Sequence, residues 1–168
     1  MLKRILKNEK GLTLIELLAV VVILGIIAAI AVPSIGGIID NTRKDAHVAN
    51  ARQMISAAKI AIAGDSKLAP VTSTETAVFT LAYLEKNGYL ETLEDPDGGN
   101  YSKGTATEGG IGKTGGDSYV EVTKPTGSEA LVYKVKLTGS KRAISTLTLE
   151  KDLDRGDVSN TSGETTKP

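Results

Sequence analysis

The chain has 168 residues, which allows one ordinary domain with extensions. Its 20 basic residues balance its 20 acidic residues, so it lacks the positive charge that a generic nucleic-acid binder needs. It contains no Cys and a single His, His47, which excludes disulfides, thiolate chemistry and Cys- or His-rich zinc sites.

The first forty residues combine a basic start with a long apolar segment. Residues 1–10 hold four basic residues and one acidic residue, a net charge of +3. From Leu12 to Ile39 the sole charged residue is Glu16, and residues 17–32 form an uninterrupted apolar run. About 20 apolar residues in a helix span a bilayer. The basic residues before this span predict an N-terminus inside the cell.

Three interpretations of this segment compete. It is a simple signal anchor, a cleavable secretory signal with a small-x-small pattern at residues 29–31, or a span with a functional carboxylate. The third interpretation arises from Glu16, because an ionised carboxylate inside a bilayer costs about 2.5–3.5 kcal/mol and usually has a partner. Cleavage after Ala31 would leave Ile35, Ile38 and Ile39 in water, which argues against the secretory signal.

Residues 10–16, with the sequence Lys-Gly-Leu-Thr-Leu-Ile-Glu, precede the apolar run. This segment closely resembles the processing site of type IV prepilins and pseudopilins. In that family a membrane peptidase cleaves after the Gly and methylates the new N-terminal amine. The resemblance implies cleavage between Gly11 and Leu12 and N-methylation of Leu12, although the family most often has Phe at that position. It also implies that Glu16 pairs with the N-terminal amine of a neighbouring subunit and sets filament register.

Two further residues match the family pattern, Gly25 and Pro33, where family helices often loosen in the assembled fibre. The resemblance implies a structural subunit, not an enzyme, of a type IV pilus-like or type II secretion-like filament. The implied partners are further copies of the chain, prepilin peptidase, a membrane assembly platform with its ATPase, minor pilins, and the lipid bilayer before assembly. The implied locations are the cytoplasmic membrane, as a single-pass protein with its N-terminus inside, and then a cell-surface or periplasmic filament. The resemblance does not decide among a major pilin, a minor pilin, a competence pilin and a pseudopilin. The alternative function is a secreted or membrane-tethered binding domain with an ordinary signal peptide.

We predict an α+β fold, in which a long N-terminal transmembrane-plus-amphipathic helix packs on a small antiparallel β-sheet, as in pilins. The predicted divisions are a leader at 1–11, a membrane or filament-core helix half at 12–39, an amphipathic half at 40–64, a globular domain at 65–150 and a flexible tail at 151–168. In the amphipathic half, the apolar face is predicted to pass through Thr42, Ala46 and Ala49. That face places His47 on the solvated side. Gly64 is predicted to end the helix.

The globular domain is predicted to begin with a second helix at residues 73–87, because Thr72 to Glu75 fits a capping box and Gly88 a helix stop. The Gly-rich residues 94–117 are predicted to form an exposed loop. Three alternating segments then predict antiparallel strands, joined by turns at Pro125–Gly127 and Gly139–Ser140. These segments are 119–123, 131–137 and 146–149.

Candidate sites outside the N-terminus are few. The sequence Gly112-Lys113-Thr114 is not a phosphate-binding loop, because the required earlier Gly is absent at position 107. Two acidic turns hold the candidate calcium ligands Asp95, Asp97, Asp152 and Asp154. They do not fit the calcium-loop template, and ordinary Asx turns explain them, but the resemblance keeps calcium open because related pseudopilins bind it in a loop near the sheet. No other metal or cofactor is expected.

No catalytic set of Ser, His and Asp is expected, because His47 is predicted to be solvated and close to the membrane. Asn100 and Asn160 begin N-x-Ser/Thr sequons, which would carry sugar only in a host that glycosylates them.

Overall fold

The computed structural model describes the backbone of residues 2–106, 109–113 and 116–161, and within these ranges the side chains from residue 13 onward. The chain divides into two compact units, Met1–Asn41 and Thr42–Pro168. Helix α1 runs from Leu2 to Gly64 and continues without interruption through Gly25 and Pro33. Loosening at these two residues, which the resemblance assigns to the assembled fibre, stays a prediction.

The first unit consists of the N-terminal part of α1. Its large apolar side chains, from Leu14 to Ile39, are exposed to between 47% and 72%. By length and composition the described helix Thr13–Gly64 is long and apolar enough to cross a membrane. An apolar surface of this extent on one chain indicates a partner or a lipid environment, because soluble monomers rarely expose one.

The second unit holds the remaining elements, which form one antiparallel sheet with the strand order β2-β1-β3-β4-β5-β6. The elements after α1 are a 3₁₀ turn (Ser66–Leu68), β1 (Thr76–Thr80), α2 (Leu81–Lys86), β2 (Gly109–Ile111), β3 (Tyr119–Thr123), β4 (Val132–Thr138), β5 (Arg142–Leu149), a second 3₁₀ turn (Arg155–Asp157) and β6 (Val158–Asn160). The predicted α+β fold with an antiparallel sheet is confirmed, and the described residues form six strands where the sequence predicted three.

The core lies between the sheet and residues 48–61 of α1. Its helix side chains are Val48, Ala51, Met54, Ile55, Ala57, Ala58 and Ala61, and its main sheet side chains are Ala77, Phe79, Val120, Val122, Val135, Leu137 and Ile144. The predicted apolar face was wrong in its first turns, because Thr42 and Ala49 are exposed whereas His47 is buried. The large residues Met54 and Ile55 define the face, and 3.6-residue spacing backward from them leads to Ala51 and His47.

The predicted second helix is wrong over its first half. Residues 76–80 form strand β1, which pairs with both β2 and β3, and the helix is limited to Leu81–Lys86. The Glu75 carboxylate does accept the backbone N–H of Thr72, as in a capping box, but it also accepts that of Val71 and closes a turn. The residue that caps α2 is Thr80, whose Oγ1 accepts the N–H of Tyr83. Tertiary pairing of a buried, β-branched segment overrides its helical spacing here.

The predicted exposed loop and flexible tail also differ from the structure. Residues 94–117 include strand β2 and the buried side chain of Tyr101. The tail includes β6, which pairs with β5, and Leu153 and Val158 enter the core. One or two buried side chains are enough to anchor such a segment when hydrogen bonds hold their neighbours, which composition alone does not reveal. Residues 162–168 of the predicted tail lie outside the described residues.

The hairpin between β4 and β5 was predicted one residue early. Gly139 donates its N–H to the carbonyl of Arg142, so the turn residues are Ser140 and Lys141. The turn predicted at Pro125–Gly127 does lie in the connection between β3 and β4, where Gly127 adopts a φ of 76°.

Candidate functional sites

The first candidate site is the start of the apolar helix. Gly11, Leu12 and Glu16 lie on one continuous helical backbone, with Glu16 about one turn after Leu12. The side chain of Glu16 is exposed in the single chain, and no ion pair to it occurs among the side chains described from residue 13 onward. A carboxylate isolated on an apolar helix surface becomes costly once that surface is buried, unless a cation accompanies it.

The second candidate site is a polar cluster with a buried centre, where α1, the segment after α2 and the β4–β5 turn meet. We call this cluster the polar hub; its members are Arg43, His47, Asn50, Asp95, Asp97, Tyr101, Ser140 and Arg142. The prediction that His47 is solvated was wrong, since the residue is 1% exposed. Asp95 and Asp97, predicted to lie in an exposed loop, are also buried.

His47 is held by a directed chain of hydrogen bonds. Asn50 Nδ2 donates to Tyr101 Oη over 2.9 Å, and Tyr101 Oη lies 2.8 Å from His47 Nδ1. His47 Nε2 lies 3.1 Å from Oδ2 of Asp97. A carboxylate oxygen accepts hydrogen bonds and cannot donate them. These contacts are satisfied when Nε2 carries the hydrogen and Nδ1 accepts the Tyr101 hydroxyl. Burial raises the pKa of Tyr101, which keeps the hydroxyl protonated as a donor.

Asp95 ties the segment after α2 to the β4–β5 turn. Its Oδ2 accepts hydrogen bonds from the backbone N–H and the hydroxyl of Ser140, each 2.7 Å long, and its Oδ1 accepts the N–H of Asp97. Burial by itself raises the pKa of Asp95, but the hydrogen bonds from Ser140 and Asp97 outweigh it, and the pKa is lowered overall. Asp95 therefore stays ionised inside the hub.

Asp97 joins the hub to two cations. Its Oδ1 lies 3.0 Å from Nη1 of Arg142 and 3.5 Å from Nη1 of Arg43. Two carboxylates, Asp95 and Asp97, therefore share the hub with two guanidinium groups, Arg43 and Arg142. The hub is a three-way connection that hydrogen bonds and ion pairs satisfy from within the chain.

Three hub side chains have the composition of a metal site. Ligand atoms of His47, Asp95 and Asp97 lie within 4.8 Å of one another. They fit a cation poorly, because each carboxylate oxygen already accepts a hydrogen bond from within the chain. Calcium also needs six to eight oxygen ligands, more than this group offers.

The other two candidate calcium ligands lie apart from the hub. Asp152 is exposed. Asp154 accepts the N–H of Gly156 and forms a capping box with Asp157 at the second 3₁₀ turn. The Asx-type interpretation of this turn agrees with these contacts.

The remaining sequence candidates are the rejected phosphate-loop match and the two N-x-Ser/Thr sequons. Lys113 is exposed, and Thr114 of the rejected phosphate-loop match lies outside the described residues. Asn100 and Asn160 are both exposed. Ser162 of the second sequon lies outside the described residues.

Sequence reasoning missed the hub because its parts are far apart in the chain. His47 and Asp97 are separated by 50 residues, and Asp95 and Ser140 by 45. A signal did exist on the helix, since His47 lies four residues before Ala51 on the face that Met54 defines. Extending that face backward would have placed His47 toward the core and called for a buried partner.

Comparison with known families bears on the first site. Residues 6–32 match a family model described as the prokaryotic N-terminal methylation motif. This motif is the signal of type IV pilins and pseudopilins, and it covers Gly11, Leu12, Glu16 and Gly25. The chain therefore carries the type IV pilin and pseudopilin signal on a pilin-like α+β fold. Searches of curated proteins and of solved structures find no match to the chain.

Proposed function

We propose that the protein is a structural subunit of a type IV pilus-like or type II secretion-like filament. The observation that carries this proposal is the methylation motif at residues 6–32, at the head of an apolar helix whose side chains are exposed in the single chain. Copies of such a helix bury one another's apolar surface when they bundle, which makes assembly favourable outside the membrane. The polar hub supports a structural role rather than a catalytic one, because His47, Asp95, Asp97 and Tyr101 are buried and bonded within the chain.

Processing prepares the helix for assembly. In this proposal prepilin peptidase cleaves between Gly11 and Leu12 and methylates the amine of Leu12. Before assembly the subunit crosses the cytoplasmic membrane once, with its basic N-terminus inside. An assembly platform with its ATPase then moves the subunit into a filament of identical copies, together with minor pilins, at the cell surface or in the periplasm.

Glu16 gives the filament its register in this proposal. The N-terminal amine of one subunit and the Glu16 carboxylate of its neighbour would each be costly alone in an apolar core. Paired, each removes the penalty of the other, whereas a shifted subunit leaves both unpaired. Gly25 and Pro33 weaken the helix between this contact and the second unit, because Gly lowers helix propensity and Pro lacks an N–H donor.

The variant Glu16→Ala tests the role of this carboxylate. Removing one partner of a buried charge pair costs about 3–5 kcal/mol, which is enough to prevent polymerisation. We expect the variant to insert in the membrane and to be cleaved normally, while filaments are absent by electron microscopy and by fractionation.

The matched control is Glu91→Ala, which removes an exposed carboxylate of the second unit and should leave filaments unchanged. Normal filaments from Glu16→Ala would refute the register role. If the variant lost both cleavage and filaments, Glu16 would instead be assigned to recognition by the peptidase.

A further inference from the structure

One dipeptide of the second unit, Asn87-Gly88, is of a chemically labile type. In an Asn-Gly sequence the backbone nitrogen of the glycine attacks the side-chain amide of the asparagine readily, because glycine has no side chain to obstruct the approach. Every other asparagine is followed by a residue with a side chain; these asparagines are Asn8, Asn41, Asn50, Asn100 and Asn160. The sequence therefore singles out Asn87 as the asparagine with the least hindered route to deamidation.

The reaction proceeds through a cyclic imide. The Gly88 nitrogen gives up its proton to water and forms a bond to Cγ of Asn87. The bond between Cγ and Nδ2 breaks, and Nδ2 leaves as ammonia with a hydrogen taken from water. Water then opens the imide at one of its two carbonyls, which yields aspartate or, with the backbone running through the side chain, isoaspartate. Water is the sole co-reactant.

The backbone at Asn87 holds the two reacting atoms apart. Asn87 has a φ of −89° and a ψ of 4°. A ψ near 0° places the Gly88 nitrogen in line with the backbone nitrogen of Asn87, whereas ring closure needs it in line with Cβ. Because the substituents of Cα are about 120° apart in this view, ψ must turn by about that angle. The leaving group is held as well, since Nδ2 of Asn87 donates to the carbonyl of Tyr83 over 2.8 Å.

Turning this angle breaks the hydrogen bonds that end helix α2. Gly88, with a φ of 74°, donates its N–H to the carbonyl of Glu85 over 3.1 Å. The N–H groups of Tyr89 and Leu90 both donate to the carbonyl of Leu84, over 3.0 and 3.2 Å. A glycine in the left-handed conformation followed by such bonds is a C-terminal helix cap. We call these hydrogen bonds the α2 cap.

The side chains after the glycine fasten the α2 cap to the core. Tyr89 and Leu90 are half-buried and pack against the core cluster. The ring of Tyr89 stacks on that of Tyr83, with 6.3 Å between their centroids. Opening the cap disrupts these contacts, so the open form is a minor state of the native domain. Asn87 itself is exposed, so water already reaches the amide in the closed form.

We propose that Asn87 is a site of spontaneous deamidation and that opening of the α2 cap, rather than access of water, sets its rate. Either product places a carboxylate at the C-terminal end of a helix, where negative charge is unfavourable. Isoaspartate also adds a methylene group to the backbone at the turn, which prevents the cap from closing as before. The modified residue therefore records that the cap has opened. The proposal concerns the second unit alone and does not depend on assembly into a filament.

The test compares the native full chain in detergent with the same chain unfolded in urea, both at neutral pH. Peptide mapping by mass spectrometry measures deamidation of Asn87, and chromatographic separation identifies isoaspartate. Asn100, which is exposed and is followed by Tyr101, is an internal control in the same digest and should react slowly in both states. We expect Asn87 to deamidate at least about tenfold faster in urea than in the native chain.

The variant Tyr89→Ala tests whether the α2 cap sets the rate, because it removes the ring that stacks on Tyr83. We expect its native rate of deamidation to rise by about three- to tenfold, with the rate in urea unchanged. The matched control is Tyr89→Phe, which keeps the ring and should react like the unaltered chain. If urea titration shows that Tyr89→Ala has lost its folded state, Tyr89→Leu takes its place, because leucine keeps an apolar side chain without the ring.

A native rate that is slower than the rate in urea, and that rises when the Tyr89 ring is removed, would support the proposal. Equal rates in the native and unfolded chains would overturn it, because the α2 cap would then give no protection. Absence of deamidation in urea would overturn it too, since Asn87 would not be a modification site. Protection that persists in full without the Tyr89 ring would overturn the control by the cap.

Discussion

At the scale of single residues, the polar hub joins α1 to the segment after α2, which in turn is bonded to the β4–β5 turn, in a domain without disulfides. Its groups are individually costly to bury, and they are compensated only as a set. Asp95 is the member with the most hydrogen bonds from backbone and hydroxyl donors, which lower its pKa despite burial. The exposed pair of Asp45 and Arg155 also joins α1 to a distant segment, but exposed ion pairs contribute little to stability.

The lowered pKa of Asp95 predicts acid sensitivity. Because native Asp95 stays ionised at lower pH than it does in the unfolded chain, where its pKa is near 3.8, its contribution is complete above that pH and is lost as the pH falls below it. The variant Asp95→Asn should lower the free energy of unfolding at pH 7 by about 1.5–3 kcal/mol and should flatten the decline of stability in acid. Urea unfolding in detergent, followed by tyrosine fluorescence, measures both effects.

The control for this prediction is Asp152→Asn, which changes an exposed carboxylate and should leave stability and its pH dependence unaltered. An Asp95→Asn variant that keeps the full acid dependence of the unaltered chain would contradict the assignment.

At the scale of elements, the C-terminal segment is an integral part of the domain. Strand β6 pairs with β5, and the side chain of Arg52 on α1 donates to the carbonyl of Leu153. The Leu153 side chain is 2% exposed within the core. A segment with so few apolar residues is therefore anchored by two buried side chains, Leu153 and Val158, and by hydrogen bonds to two elements.

This anchoring predicts a large effect of truncating the Leu153 side chain. Leu153→Ala should lower the free energy of unfolding by about 2–5 kcal/mol, because it removes buried methyl groups and leaves a cavity. Val71→Ala, at a side chain that is 69% exposed, should change it by less than about 0.5 kcal/mol. Thermal unfolding of the two variants measures the difference, and equal melting temperatures would mean that the segment does not contribute to the core.

The elements that sequence patterns predict well are those with strong periodicity. Period-two alternation of side chains predicted β3 and β4 closely, and Gly64 was predicted correctly as the end of α1. Strand β1 was missed because residues 77–80 are buried on both faces of the sheet, so they show no alternation. The hub was missed because its pairs are distant in sequence, and local spacing carries no record of such contacts.

At the scale of the whole molecule, the two units divide two tasks. The second unit buries a core of its own around the sheet, and the first unit exposes apolar side chains along its entire described length. Such a division suits a chain that is stored in a membrane and later transferred to a bundle of like helices, because lipid and helix surfaces are both apolar. The methylation motif marks the place where the proposed processing converts the stored form into the assembling form.

The mass of the mature N-terminus distinguishes processing after Gly11 from the alternatives. It is measured by mass spectrometry on the protein isolated from its own cells. Processing after Gly11 predicts a chain that begins at Leu12 and carries a methyl group on its α-amine. A chain that begins at Val32 would contradict it and would support an ordinary secretory signal on a secreted binding domain, and a chain that retains Met1 would support a simple membrane anchor.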